Sequence, residues 1–161
     1  PLRGTKATCW EGGIRTPAAV MWRSVLEPGR CEAPMHVVDW MPTLANMLGC
    51  DLPVDPQWDG RDVWPLVTGQ AEPDPDRALF WNLRHSRFAV RQDGWKLMRR
   101  EDADRTELYH IAEDPFEEAD LSEKEPGIVE RLMAALAEQR ALDDTSMRPD
   151  VDPLAPLEAK K

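Results

Sequence analysis

Pro1-Leu2-Arg3-Gly4-Thr5-Lys6-Ala7-Thr8-Cys9-Trp10-Glu11-Gly12-Gly13-Ile14-Arg15-Thr16-Pro17 opens the chain, and the fold assignment turns on it. Adjacent glycines at 12 and 13 predict a close passage of backbone against a neighbour, which a β-carbon would block. The apolar run behind them, Ala18-Ala19-Val20-Met21-Trp22, reads as a buried strand. With strand periodicity, residues 11, 13 and 15 share a face, so Glu11 and Arg15 are expected to form an internal ion pair. Lys6 precedes them on a loop, a compact point charge with three donors.

Glu27-Pro28-Gly29 marks a turn. Residues 35–38 are short, apolar and β-branched, hence extended. Asp39 then caps a helix with Pro42 in its first turn and Gly49 as its stop, and Trp40, Leu44, Met47 and Leu48 line the face expected to dock on a core. A short helix over 63–68 has Asp62 as cap and Gly69 as terminator. Residues 70–77 form a Pro/Asp linker, beyond which the period becomes strand-like. Strands are expected over 78–83, 87–92, 95–99 and 107–111, with Asp93-Gly94 as a hairpin turn. Ser122-x-x-Glu125 resembles a capping box, and Ile128, Val129, Leu132, Met133 and Leu136 give the following helix an apolar stripe to cover the sheet. The domain reading is therefore α/β: residues 1–70 as a piece of a larger α/β layer, 77–142 as a small antiparallel subdomain with its helix, and 143–161 as a loosely ordered tail.

Of the 161 residues, 20 are basic and 30 acidic. Over 1–100, 13 basic residues stand against 12 acidic; over 101–161, 7 stand against 18. So acidic a second half opposes nucleic-acid binding, which needs clustered Lys and Arg. No run approaches the roughly 20 apolar residues of a membrane span. Cys9, Cys31 and Cys50 form no C-x-x-C pair and read as structural thiols. The opening without Met reads as a segment of a longer polypeptide.

Catalytic constellations are scarce. No serine stands in G-x-S-x-G, and His36, His85 and His110 are scattered. The cluster Asp114, Glu117, Glu118 and Asp120 lacks the order of a calcium loop and reads as a solvated turn. His85, in a loop between two strands, is a candidate substrate-binding residue. The seven tryptophans read as core anchors, with Trp58 or Trp81 as candidates to line a sugar or aryl pocket.

The opening string resembles the G-x-K-x-x-x-(W/Y)-E-G-G-x-R-x-P signature of formylglycine-dependent sulfatases, members of the alkaline-phosphatase-like superfamily. Four further blocks follow in the family's order. His36-Val37-Val38-Asp39-Trp40-Met41-Pro42-Thr43-Leu44 is similar to H-x-x-D-x-x-P-T-L, and Asp59-Gly60-Arg61-Asp62 to D-G-x-D in its arylsulfatase B-like form. Ala89 to Leu97 is similar to the A-x-R-x-G-x-W-K-L hairpin with an aspartate inserted at the turn. Glu107 to Glu117 resembles E-L-Y-D-L-x-x-D-P-x-E, with His110 in place of the usual Asp and Asp120 where Asn is common.

The resemblance implies the C-terminal part of a sulfatase fold, ending in an antiparallel sheet covered by a C-terminal helix. It implies that Lys6 contacts a sulfate oxygen and the bridging oxygen of the leaving group, in a parent enzyme that cleaves aryl or carbohydrate sulfates. The formylglycine nucleophile, made within C/S-x-P/A-x-R, and the Ca2+ ligands of the family have no counterpart here, so the chain alone is expected to be inactive and to need the missing N-terminal part of the same protein. The resemblance slightly favours a periplasmic or secreted location over the cytoplasm. Alternatives are a phosphoesterase or phosphonate-ester hydrolase on the same scaffold, or a non-catalytic module that binds a partner or glycan.

Overall fold

The computed structural model describes residues 1–50, 59–83 and 86–146. Helices α1 (Glu11–Ile14), α2 (Trp40–Met47) and α3 (Trp64–Val67) precede strands β1 (Leu79–Leu83), β2 (Arg87–Gln92), β3 (Trp95–Arg100) and β4 (Arg105–His110), and helix α4 (Pro126–Ser146) follows. Two compact units result. Pro1–Arg15 joins the chain from Ala78 onward in one, and Thr16–Arg77 forms the other. The division read from sequence at 70/77 kept the first fifteen residues with the second unit, because nothing local shows that they are held by side chains about a hundred positions away.

In the first unit the strands form an antiparallel meander in the order β1-β2-β3-β4. Gln92 pairs with Trp95, so Asp93 (φ 48°) and Gly94 (φ 77°) make the two-residue turn whose positive φ values match strand twist. Phe88, Val90, Leu97 and Leu108 point to one face and pack on Leu132 and Leu136 of α4. The opposite face buries Ala89, Met98, Tyr109 and Ile111 under Cys9 and Trp10 of the N-terminal segment. The sheet is thus the middle layer of three. Such double cover turns both side-chain rows of each strand inward, so the strands are apolar in runs rather than in alternation.

The capping box is not where α4 begins. Pro126 takes the first helical position, where its missing N–H leaves no donor unpaired, while Asp120 accepts from the Ser122 N–H. The helix also absorbs residues 143–146 of the expected tail; residues 147–161 lie outside the described residues.

Three expectations for Thr16–Arg77 are corrected. Residues 18–22 form no strand, and Met21 is 83% exposed. Val37–Asp39 is a turn of 3-10 helix rather than extended. The face of α2 that docks carries Thr43 and Ala45, while Leu44 and Leu48 face solvent.

What organises this unit is polar. The buried Asp39 carboxylate accepts from the His36 N–H at 2.7 Å and the Arg61 N–H at 3.1 Å, and pairs with the Arg77 guanidinium. Burial alone would raise its pKa, but these three donors outweigh it and hold the carboxyl below its ordinary value. Thr43 donates to the Asp39 carbonyl and accepts from the Val63 N–H; the Asp62 carboxylate accepts from the Trp64 N–H, but the residue at the cap position of α3 is Val63, one further on than expected. The H-x-x-D and D-G-x-D blocks therefore meet around one aspartate.

Candidate functional site

Lys6 lies on a tight turn. The Thr8 N–H donates to the Thr5 carbonyl at 3.2 Å, and the Thr8 hydroxyl donates to the same oxygen at 2.7 Å while accepting from the Thr5 N–H. Ala7 takes φ 68°, a left-handed conformation that leaves Lys6 at the crest. The Lys6 side chain is exposed and makes no ion pair among the described residues.

The turn rests on the two glycines. A β-carbon at Gly12 would stand 2.6 Å from the Arg3 carbonyl oxygen, and one at Gly13 would stand 2.6 Å from that of Thr5. The close passage read from Gly12-Gly13 is real, and the neighbour is the Lys6 loop itself. The surrounding conformation is helical, however, not extended. Glu11 and Arg15 do approach, at 4.0 Å, but as residues one helical turn apart.

Glu11 is held mainly from elsewhere. Lys96, on the inner row of β3, is fully buried; its ammonium donates to Glu11 Oε1 at 2.9 Å and to Glu117 Oε1 at 2.8 Å. The other Glu117 oxygen accepts from the Glu11 N–H at 2.8 Å. Arg91 stands 3.8 Å from the second oxygen of Glu11 and neutralises the cluster. Glu117 is thus no part of a solvated turn, although Asp114 does accept from the N–H groups of Glu118 and Ala119 there. Burial raises the Glu117 pKa against the pull of Lys96 and of the Glu11 N–H.

The foot of the loop is tied as well. The Arg3 guanidinium lies 3.6 Å over the Trp10 ring and donates to the Glu117 carbonyl at 2.6 Å. Trp10 meets Tyr109 edge-on at 5.7 Å. Burial, then the charge of Glu107, pushes the Tyr109 pKa up to about 12, so that its hydroxyl stays neutral.

Of the two site residues read from sequence, Lys6 is on this loop; His85 lies outside the described residues, as does Trp58. Trp81 is half-buried on the sheet face that receives Trp10. Sequence reasoning missed Lys96, Glu117 and Arg91. A signal existed: Lys96 shares its inward row with Met98, and a lysine in an apolar row requires a buried counter-charge.

An exposed ammonium, without an ion-pair partner among the described residues and carried on a pinned turn, suits a compact oxyanion. The residues present do not fit the other groups implied by the resemblance. Among the described residues no three His, Cys, Asp or Glu side chains converge to hold a metal ion, and none of the three cysteines stands in C-x-P/A-x-R. Among the described residues no helix is long and apolar enough to cross a membrane.

Residues 5–142 match the family described as N-sulphoglucosamine sulphohydrolase, C-terminal. Steryl-sulfatase of Rattus norvegicus is 44% identical over 79 residues, which cover 48% of this chain and 14% of that protein. Arylsulfatase J of Mus musculus is 29% identical over 187 residues, covering 86% of this chain and 31% of that protein. Among solved structures, Ps i-CgsB superposes with a TM-score of 0.79 at 23% identity, over 86% of this chain and 32% of that one. BT4656, solved in complex with its substrate D-glucosamine-2-N,6-O-disulfate, gives 0.54 at 20% identity, over 71% of this chain and 25% of that one. The chain therefore spans about a third or less of the length of these proteins. Motif order, the covered meander and these likenesses converge: the chain belongs to the N-sulphoglucosamine sulphohydrolase C-terminal family and has the fold of the C-terminal part of an alkaline-phosphatase-like sulfatase.

Proposed function

We propose that the polypeptide to which this chain belongs hydrolyses sulfate monoesters, and that Lys6 steadies the oxygen that leaves. The observation that carries this reading is the Lys6 ammonium, solvent-facing and without an ion-pair partner among the described residues, on a turn pinned at both ends. Cleavage of the S–O bond builds negative charge on the bridging oxygen. A fixed ammonium stabilises that charge without having to reorganise as it forms. Sulfatase relatives support the reaction class, and the sulfated glucosamine bound to BT4656 favours a carbohydrate sulfate as substrate. The formylglycine nucleophile and Ca2+ would be supplied by the rest of the polypeptide. That same remainder would cover the apolar side chains that Thr16–Arg77 leaves exposed, Met21, Trp22, Leu44 and Leu48 among them.

The test uses the full-length polypeptide on nitrophenyl sulfate and nitrophenyl phosphate, with Lys6→Ala alongside. The expected result is a preference for sulfate and a loss on the order of 10²–10³ in kcat for Lys6→Ala. A preference for phosphate overturns the substrate class, and an unchanged rate in Lys6→Ala overturns the role of the lysine. The isolated chain is expected to release no nitrophenol; Lys6-dependent release from it would show that the chemistry is complete within these residues.

A further inference from the structure

We infer that Glu117 is a positioning residue for Lys6, because both ends of the loop that carries the lysine hang on that one residue. At the near end, Arg3 donates to the Glu117 carbonyl at 2.6 Å. At the far end, the Glu11 N–H donates to Glu117 Oε2 at 2.8 Å, and Lys96 bridges the two carboxylates from below. The Gly12 N–H closes the loop by donating to the Arg3 carbonyl at 2.7 Å. Within that ring of bonds the segment has little freedom: the Thr5–Thr8 turn is seated directly on Gly13, and the backbone of Leu2 to Gly4 on Gly12. The anchor lies on the segment that follows β4, 106 positions from Glu11, so the height of the ammonium above the sheet is set by the sheet and not by the loop.

The inference rests on the proposed role of Lys6 and gives it a mechanical basis. The bridging oxygen of a sulfate ester needs the ammonium at hydrogen-bond distance when charge develops, and a displacement of about 1 Å by a remote change costs on the order of 100-fold in rate. Glu117→Gln keeps the shape and an oxygen for the Glu11 N–H, but it weakens the hold on Lys96. Arg3→Met releases the other end without touching the buried charges.

The experiment is a double-mutant cycle in the full-length polypeptide on a series of aryl sulfates, with rates expressed per folded enzyme by near-ultraviolet circular dichroism. Glu117→Gln is expected to lower kcat by roughly 10- to 100-fold, to leave KM within about threefold, and to steepen the dependence of rate on leaving-group pKa as Lys6→Ala does. In a Lys6→Ala background the same change is expected to add less than about threefold, since a misplaced group and an absent one are equivalent. An equal penalty in both backgrounds would overturn the inference and reduce Glu117 to a support of the fold. Arg3→Met gives the same comparison should Glu117→Gln fail to fold. If Lys6→Ala alone leaves the rate unchanged, the role of Lys6 is what fails, and the inference falls with it.

Discussion

The two units solve burial in opposite ways. The sheet unit covers both faces of its strands and places its buried charges in partnered pairs, down to a lysine with no solvent exposure. Thr16–Arg77 buries Asp39, Thr43, Ala45 and Val63 and leaves Val20, Met21, Leu44 and Leu48 in solvent. One is organised by apolar layers, with an ionic cluster under the loop. The other is organised around a single carboxylate, with its apolar side chains still uncovered. Apolar content alone does not make a core; what matters is whether a second surface is present to meet it.

The largest expected effect lies in the buried cluster. Lys96→Met removes the ammonium that bridges Glu11 and Glu117, leaving Glu117 without its cation, and is predicted to lower stability by about 3–5 kcal/mol, the usual cost of breaking a buried pair. Urea unfolding followed by tryptophan fluorescence measures this, and a loss under about 1 kcal/mol would mean that the cluster is solvated in practice. Next come matched truncations. Leu132→Ala, at the centre of the α4 contact, is expected to cost about 2–5 kcal/mol, whereas Leu48→Ala, at 77% exposure, should stay within about 0.5 kcal/mol in this chain. Equal costs would erase the contrast between the units.

The smallest effect is set by pH. The Asp39 carboxyl titrates below its ordinary 3.8, so its contribution is complete above that value and is lost as pH falls from there through the depressed folded pKa. Protonation of Asp39 should therefore loosen Thr16–Arg77 at low pH, and Asp39→Asn should flatten that part of the profile. Backbone hydrogen exchange at Arg61 and Val63 reads it directly.

What the sequence made legible follows the range of the forces involved. Asp93-Gly94, the strand limits and the Leu132–Leu136 stripe depend on neighbours a few positions apart, and each stands within a residue or two of expectation. The Lys6 loop was marked by its glycines. The failures are long-range. Helical spacing named Trp40, Leu44, Met47 and Leu48 as a docking face, but Leu44 and Leu48 face solvent, and Thr43 is buried where the Val63 N–H, twenty positions away, donates to it. Glu117 looked solvated because its acidic neighbours are; only the fold shows Lys96 beneath it.

The separation between Glu11 and its anchor also sets a timetable. During synthesis the segment bearing Cys9 and Trp10 leaves the ribosome ahead of its cover, and it has nowhere to dock until the strands and the turn at Glu117 have emerged. At about 5–20 residues per second, the 106-position gap is a delay of roughly 5–20 s. For that interval an indole and a thiol lie bare to solvent, so a chaperone holding that nascent stretch would raise the yield of folded protein.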